Sequence, residues 1–433
     1  MLLSLIFLLS ISSVFPKPEQ VVLSLTNDPA VYSVTWISLK PLKDTSYPFV
    51  QFGTSAKKLL TVCNATTTSS FQWANLDNIL SEWTDRGIGK MGDDIVMCKC
   101  SLTSDSSDYE VGSSQSMSTT FNFVAVDPDT RFRLAIYGDL SVKDGYSIPS
   151  LIFGAQKNDF DVVVHIGDIA YDLDGKNGTH GDDFMSEMES VTAYVPFMVL
   201  AGNHEDAQNF SHIANRFTMP PNGIVSDNQF WSFTLGDAHI VGLSSEYYGE
   251  NISDFAQLQY SWLLNDLKKS KSIWKIVLMH RPLYCANDHK KGCHVWENLS
   301  MRDGAPGYPA LEPLFNAAGV DMVFWGHQHS YERNWPVAKS TVYTQPDLQH
   351  YHNASTPVYI MTGSAGCHSH QDVVLKIPQP YTAVILGQYG YSLLNVVSRS
   401  QLTTRFVDVN DADNHLDKFS LSKDPNFKPG VQF

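Results

Sequence analysis

Five short stretches of the chain each close an apolar run on a residue able to bind a metal ion. They are Gly138-Asp139, Gly167-Asp168 with Tyr171 three residues on, Gly202-Asn203-His204-Glu205, His280, and Gly326-His327-Gln328-His329. Collected, Asp139, Asp168, Tyr171, Asn203, His280, His327 and His329 are hard oxygen donors and imidazoles, with no thiolate among them. Such a set suits Fe, Mn or Zn better than a soft-metal or structural cysteine site. Seven donors exceed what one tetrahedral ion takes, so two ions sharing a carboxylate are the economical arrangement. Two adjacent cations can bind a phosphate, lower the pKa of a bound water and stabilise a leaving oxygen. The chemistry indicated is hydrolysis of a phosphoester. A lone Gly-Asp, or one histidine at a strand end, is usually structural. Five in succession are not explained that way.

Strands have to position these residues. FRLAIY, DVVVHI, PFMVLA, IWKIVLM and VDMVFW are strand-sized apolar runs, and longer helix-like segments separate them. That alternation predicts an α/β unit. In such sheets ligands bind outside the carboxyl ends of the strands, so the five turns should converge. Before residue 127 the pattern is different. EQVVLSL, AVYSVTWISL, FVQFG and TTFNFVAV are short runs between polar or Pro-containing turns, which predicts a small β-sandwich. Asn78–Ser107 breaks that rhythm, as a long loop or as a departure from the normal strands. Asp127-Pro128-Asp129 reads as a linker. The expected organisation is a signal peptide over 1–17, an N-terminal domain over 18–126 and a catalytic domain over 131–410.

Composition narrows the function classes. Of 433 residues, 43% are hydrophobic, enough for sizeable cores, and the formal net charge is −15. A polyphosphate backbone would meet net repulsion, so non-specific nucleic-acid binding is disfavoured and no nucleic-acid partner is expected. Bound cations can still reverse the field locally for a small anionic substrate. The apolar start MLLSLIFLLSISSVFP is too short for a comfortable membrane span and reads as a cleaved signal. No transmembrane anchor is expected. Sequons at Asn64, Asn177, Asn209, Asn251, Asn298 and Asn353 suit a secreted or lysosomal protein carrying N-linked glycans. Of the cysteines, Cys285 and Cys293 could close a short loop in an oxidising compartment.

These motifs resemble the purple acid phosphatases within the metallophosphoesterases, over nearly the whole mature chain. The family order is GD-x-G, GD-x-x-Y, GNH-[ED], V-x-x-H and GH-x-H. Here it reads GDLS, GDIAY, GNHE, VLMH and GHQH, with Ser141 where glycine is usual. The resemblance implies that Asp139, Tyr171 and His329 hold Fe(III), while Asn203, His280 and His327 hold a divalent Fe, Zn or Mn ion. Asp168 would bridge them. Phenolate and carboxylate are hard anionic donors suited to a trivalent ion, whereas amide and imidazole suit a divalent one. Tyr171 discriminates, since a plain diesterase or nucleotidase of the superfamily has no need of it.

The implied fold is multidomain α+β and α/β. A fibronectin-III-like sandwich precedes a βαβ-based metallophosphoesterase domain of two packed mixed sheets flanked by helices. The implied activity is hydrolysis of phosphate monoesters by a metal-bound hydroxide, best at acidic pH. A phosphodiesterase or nucleotidase, or a non-catalytic secreted binding glycoprotein, is the alternative. His204 would contact phosphate and protonate the leaving group, and His289 sits where some relatives place a substrate-facing histidine. Tyr331, Glu332 and Arg333 read as structural support, His165 as core, and His350, His352, His368 and His370 as loop residues.

Overall fold

The computed structural model describes residues 17–38, 48–64, 67–71, 95–103, 108–113, 116–127, 131–286, 295–367, 371–372 and 378–427. The signal-like start, His289, Cys293, His368, His370 and the 78–94 and 104–107 portions of Asn78–Ser107 lie outside the described residues.

The N-terminal runs form two antiparallel sheets. One is ordered Glu19–Leu25, Val31–Ser38, Ile95–Thr103, Thr67–Phe71. The other places Pro48–Gly53 between Leu59–Asn64 and Asp108–Ser113. Val34, Trp36, Val50, Phe52, Leu102, Tyr109 and Val111 meet in a common core. Two expectations need correcting here. Ile95–Thr103, inside the stretch that broke the rhythm, is a nine-residue strand, and TTFNFVAV supplies only the two-residue strand Phe121–Asn122. Side-chain bonds tie this unit to the segment 192–193 of the catalytic unit. Tyr109 Oη donates to the Ala193 carbonyl at 2.6 Å, and Thr192 Oγ1 to the Val21 carbonyl at 2.7 Å.

The catalytic unit is built on two seven-stranded mixed sheets. In the first, Phe197–Leu200, Val162–Ile166 and Phe132–Tyr137 run parallel, and Gly390–Ser398 joins Phe132–Tyr137 antiparallel. Gln401–Asp408, Asp411–Ser422 and His350–His352 complete it. The second has Ala238–Gly242, Trp274–Leu278, Met322–Trp325 and Val358–Thr362 parallel at its centre. Trp231–Leu235, Tyr331–Asn334 and Thr382–Leu386 add antiparallel strands.

Period-two alternation fixes which face of the second sheet looks where. Ile276, Leu278, Met322, Phe324, Val358 and Ile360 join the core shared with the first sheet. Their neighbours Val277, Val323, Trp325, Tyr359 and Met361 join a second core. There they meet Leu263 and Leu267 of the helix Ser253–Lys269, and Leu314 and Phe315 of Leu311–Ala318. The sheet is therefore buried on both sides, as parallel strands require. The strand Asp411–Ser422 lies past the expected boundary at 410 and pairs along Gln401–Asp408, so the sheet extends to Ser422.

Candidate metal centre

The strand Phe132–Tyr137 is followed two residues on by Asp139, Val162–Ile166 two residues on by Asp168, and Phe197–Leu200 three residues on by Asn203. Trp274–Leu278 in the second sheet delivers His280, and Met322–Trp325 delivers His327 and His329. Backbone hydrogen bonds stitch these turns together. Asp139 N–H donates to Gly167 O at 3.1 Å, Leu140 N–H to Asp168 O at 3.2 Å, and Gly326 N–H to His280 O at 3.0 Å. Glycine at 202 is a packing necessity, because a Cβ there would lie 2.3 Å from Asp168 Oδ1.

All seven candidates meet at this junction. Tyr171 Oη lies 2.7 Å from His329 Nε2 and 3.4 Å from Asp139 Oδ1, with His329 Nε2 and Asp139 Oδ1 3.5 Å apart. On the other side His280 Nε2 lies 3.2 Å from Asp168 Oδ1 and 3.3 Å from Asn203 Oδ1. Donors at right angles around an ion with bonds of about 2.1 Å sit about 3 Å apart, and the spacings on both sides are of that size. Two groups with converging donor atoms result: Asp168, His280 and His327, and Asp139, Asp168 and His329. Asp168 is common to both.

The electrostatics fit cations as well. Burial disfavours charge on His280, yet Asp168 outweighs it and raises the imidazole to about 10. His329 is likewise raised against burial, to about 11, by Asp139 and Cys367. Burial opposes ionisation of Asp168 too, but His280 more than offsets it and holds the carboxyl far below its usual range. Burial raises the Asp139 carboxyl, and metal ions bind such histidines and carboxylates by displacing their protons. Burial, with His280 and Arg281, pushes His327 well below its usual value, leaving a neutral ring. Its Nδ1 is buried without a hydrogen-bond partner among the described residues, as a lone pair reserved for a ligand would be. Burial with Asp139 and Asp168 pushes the Tyr171 phenol upward, an effect a nearby cation reverses.

Comparison with known proteins gives the family. Residues 132–331 match the calcineurin-like phosphoesterase model, and 356–418 the iron/zinc purple acid phosphatase-like protein C model. Acid phosphatase type 7 of Danio rerio is 36% identical over 331 residues, 73% of this chain and 74% of that one. The Homo sapiens protein of that name is 34% identical over 402 residues, 89% of this chain and 86% of its own. The chain belongs to the purple acid phosphatases. It is an acid phosphatase, and the family implies a binuclear metal centre. A purple acid phosphatase from yellow lupin seeds shares the fold, with a TM-score of 0.78 at 20% identity over 95% of this chain and 75% of that one.

Within this acid phosphatase, Ser141 replaces glycine without consequence for the turn, because Leu140–Ser141 is extended and pairs in parallel with Ile169–Ala170. His204 lies beside the centre: its N–H donates to Asp168 Oδ1 at 3.2 Å, and its ring Nδ1 is 2.8 Å from Asp172 Oδ1. His165 is core, wholly buried and lowered to about 3 by burial. His350 and His352 are exposed and bond Ser420 and Ser422. Tyr331 and Arg333 both bond the buried Asp417, and Glu332 accepts from Ala286 N–H.

Sequence reasoning passed over Glu205. Its carboxylate accepts N–H bonds from Asp168 at 2.9 Å, Ile169 at 2.8 Å and Gly202 at 2.8 Å, joining two donor-bearing turns. A readable signal existed, since Glu three residues after Gly202 has the spacing of a capping box. Cys367 and Asp372, both bonded to His329, carried no such signal.

Proposed function

We propose that this acid phosphatase hydrolyses phosphate monoesters at a binuclear centre. Asp139, Tyr171 and His329 would hold a ferric ion, Asn203, His280 and His327 a divalent Fe, Zn or Mn ion, and Asp168 would bridge them. One observation carries the reading: the two groups of converging donors share a single carboxylate, Asp168. Two such ions supply an activated water and neutralise charge building on the phosphoryl oxygens. The chain's own residues do the rest. Asp139 and Asp168 are 0% and 2% exposed, so both carboxylates are held out of bulk water. The Asp172 carboxylate engages Nδ1 of His204, making Nε2 the nitrogen that hands a proton to the departing oxygen. The His204 side chain is 29% exposed, so a substrate can reach it.

The location we assign is secreted or lysosomal, on the signal-like start and the sequons. Asn209 and Asn251 are exposed and suit glycans. Asn298 does not, for it is 1% exposed within the helix Trp296–Asp303. Among the described residues no helix is long and apolar enough to cross a membrane.

Metal analysis of pure protein, with a visible spectrum and rates on a monoester and a diester, tests the reading. Two ions per chain, a monoester preference and a visible phenolate-to-iron band that Tyr171→Phe bleaches are expected. Iron-replete, oxidised protein without that band would remove Tyr171 from the site, and a diester preference would overturn the substrate class.

A further inference from the structure

The His329 ring is held from both edges. Nε2 faces Tyr171 Oη at 2.7 Å and Asp139 Oδ1 at 3.5 Å, while Nδ1 lies 3.0 Å from Cys367 Sγ. A neutral imidazole has one N–H and one lone pair. If Nε2 presents its lone pair to an ion, Nδ1 carries the hydrogen and needs an acceptor. His280 meets that need conventionally, with Nδ1 2.9 Å from the Ile166 carbonyl. At His329 the acceptor is sulfur.

We propose that Cys367 is a positioning residue of the metal centre: its sulfur accepts the Nδ1–H of His329 and so fixes both tautomer and ring plane. The inference rests on the binuclear reading and deepens it. Cys367 is only 2% exposed, so its sulfur is no surface group. Its segment is strapped to the turn beyond Asp139. Ser141 N–H donates to Gly366 O at 2.8 Å, and Ser147 N–H to Ala365 O at 3.0 Å. Gly366 has φ +131°, and a Cβ there would lie 2.3 Å from Asp144 O, so the sulfur's approach is built into the backbone. The backbone of His329 is fixed separately. Its N–H donates to Asp372 Oδ2 at 2.8 Å, and Asp372 N–H returns to His329 O at 3.1 Å. Backbone and ring therefore have independent anchors.

Loss of partners that orient a metal-binding histidine lowers metal affinity or activity by roughly 10–100-fold.

The test uses Cys367→Ala and Cys367→Ser in the full chain, reading each ion's affinity, the visible band, kcat and KM. Cys367→Ala should weaken the iron on the Asp139–Tyr171–His329 side by about 10–100-fold and shift or diminish the band, while the second ion is retained. Cys367→Ser, which keeps an acceptor, should recover most of that loss. In a His329→Ala background, Cys367→Ala should add nothing. Wild-type affinity for both ions in Cys367→Ala overturns the proposal. Equal loss of both ions, or serine failing as alanine does, also overturns it by marking a packing role. Wild-type protein that binds fewer than two ions refutes the binuclear reading itself, a result independent of either variant.

Discussion

Glu205→Gln should weaken the centre although Glu205 is assigned to neither ion. Its two carboxylate oxygens accept three backbone N–H groups, with Oε2 taking Asp168 and Gly202 and Oε1 taking Ile169. The side chain is 2% exposed, so water does not replace those bonds cheaply. Glutamine with its oxygen at the Oε2 position keeps two bonds but turns an NH2 group toward the Ile169 N–H. One charge-assisted bond is lost, worth about 1.5–3 kcal/mol, and a buried donor is left unpaired. Net destabilisation of about 2–4 kcal/mol is expected, a large share of a domain stability of about 5–15 kcal/mol. Glu205→Ala strands three donors and should cost roughly 4–6 kcal/mol. The assay is the denaturant midpoint of the metal-loaded protein, read with metal content and turnover. Because Glu205 spans the turns of Asp168 and Asn203, turnover should fall by about 10²-fold even where the variant remains folded, as misplacement of about 1 Å does. An unchanged midpoint with unchanged turnover in Glu205→Gln would refute the reasoning, since those N–H groups would then not depend on the carboxylate.

Asp168→Asn should abolish activity and deplete both ions, because Asp168 alone belongs to both converging groups; a variant that kept two ions and near-normal turnover would remove it from the bridging position. His204→Ala should lower kcat by about 10²–10⁴-fold with metal content intact, since its role begins after substrate binds. Loss of metal in that variant would make His204 a support of Asp168, whose Oδ1 its N–H contacts.

The catalytic strands were legible because each is a compact apolar run whose periodicity survives without tertiary context. FRLAIY is the strand Phe132–Tyr137 residue for residue, and the residues following each run meet at one junction. Asp411–Ser422 was not legible. Its sequence DADNHLDKFSLS is largely polar, yet Asp417 is buried against Arg333 and Tyr331, with Phe419 and Leu421 facing the core. No local pattern reveals a partner 84 residues away. The Asn298 sequon misled for the converse reason, since a three-residue pattern carries no information about burial. Glu205 and Cys367 act through long-range hydrogen bonds, which single-sequence spacing does not encode.

The turns that carry the donors also carry backbone strain. Asp139, Asp168, Ala170, Tyr171, Asp172 and His327 have φ between 55° and 76°. The left-handed region costs a non-glycine residue of the order of 1 kcal/mol, so these six together amount to roughly 6 kcal/mol. Strain on that scale persists only where surroundings over-determine it. Here they do. Asp139 Oδ2 accepts from His327 N–H at 2.9 Å, Glu205 holds the backbone of Asp168 and Ile169, and Leu140–Ser141 pairs with Ile169–Ala170. Relaxing one left-handed residue would break a bond made by a neighbouring turn and displace that turn's donor as well. Strain and preorganisation are thus the same property of this junction. The donors are held near 3 Å spacing by the fold, and ion binding does not have to order five separate loops. Binding free energy of ions at this junction would then offset the strain that keeps the candidate donors in place.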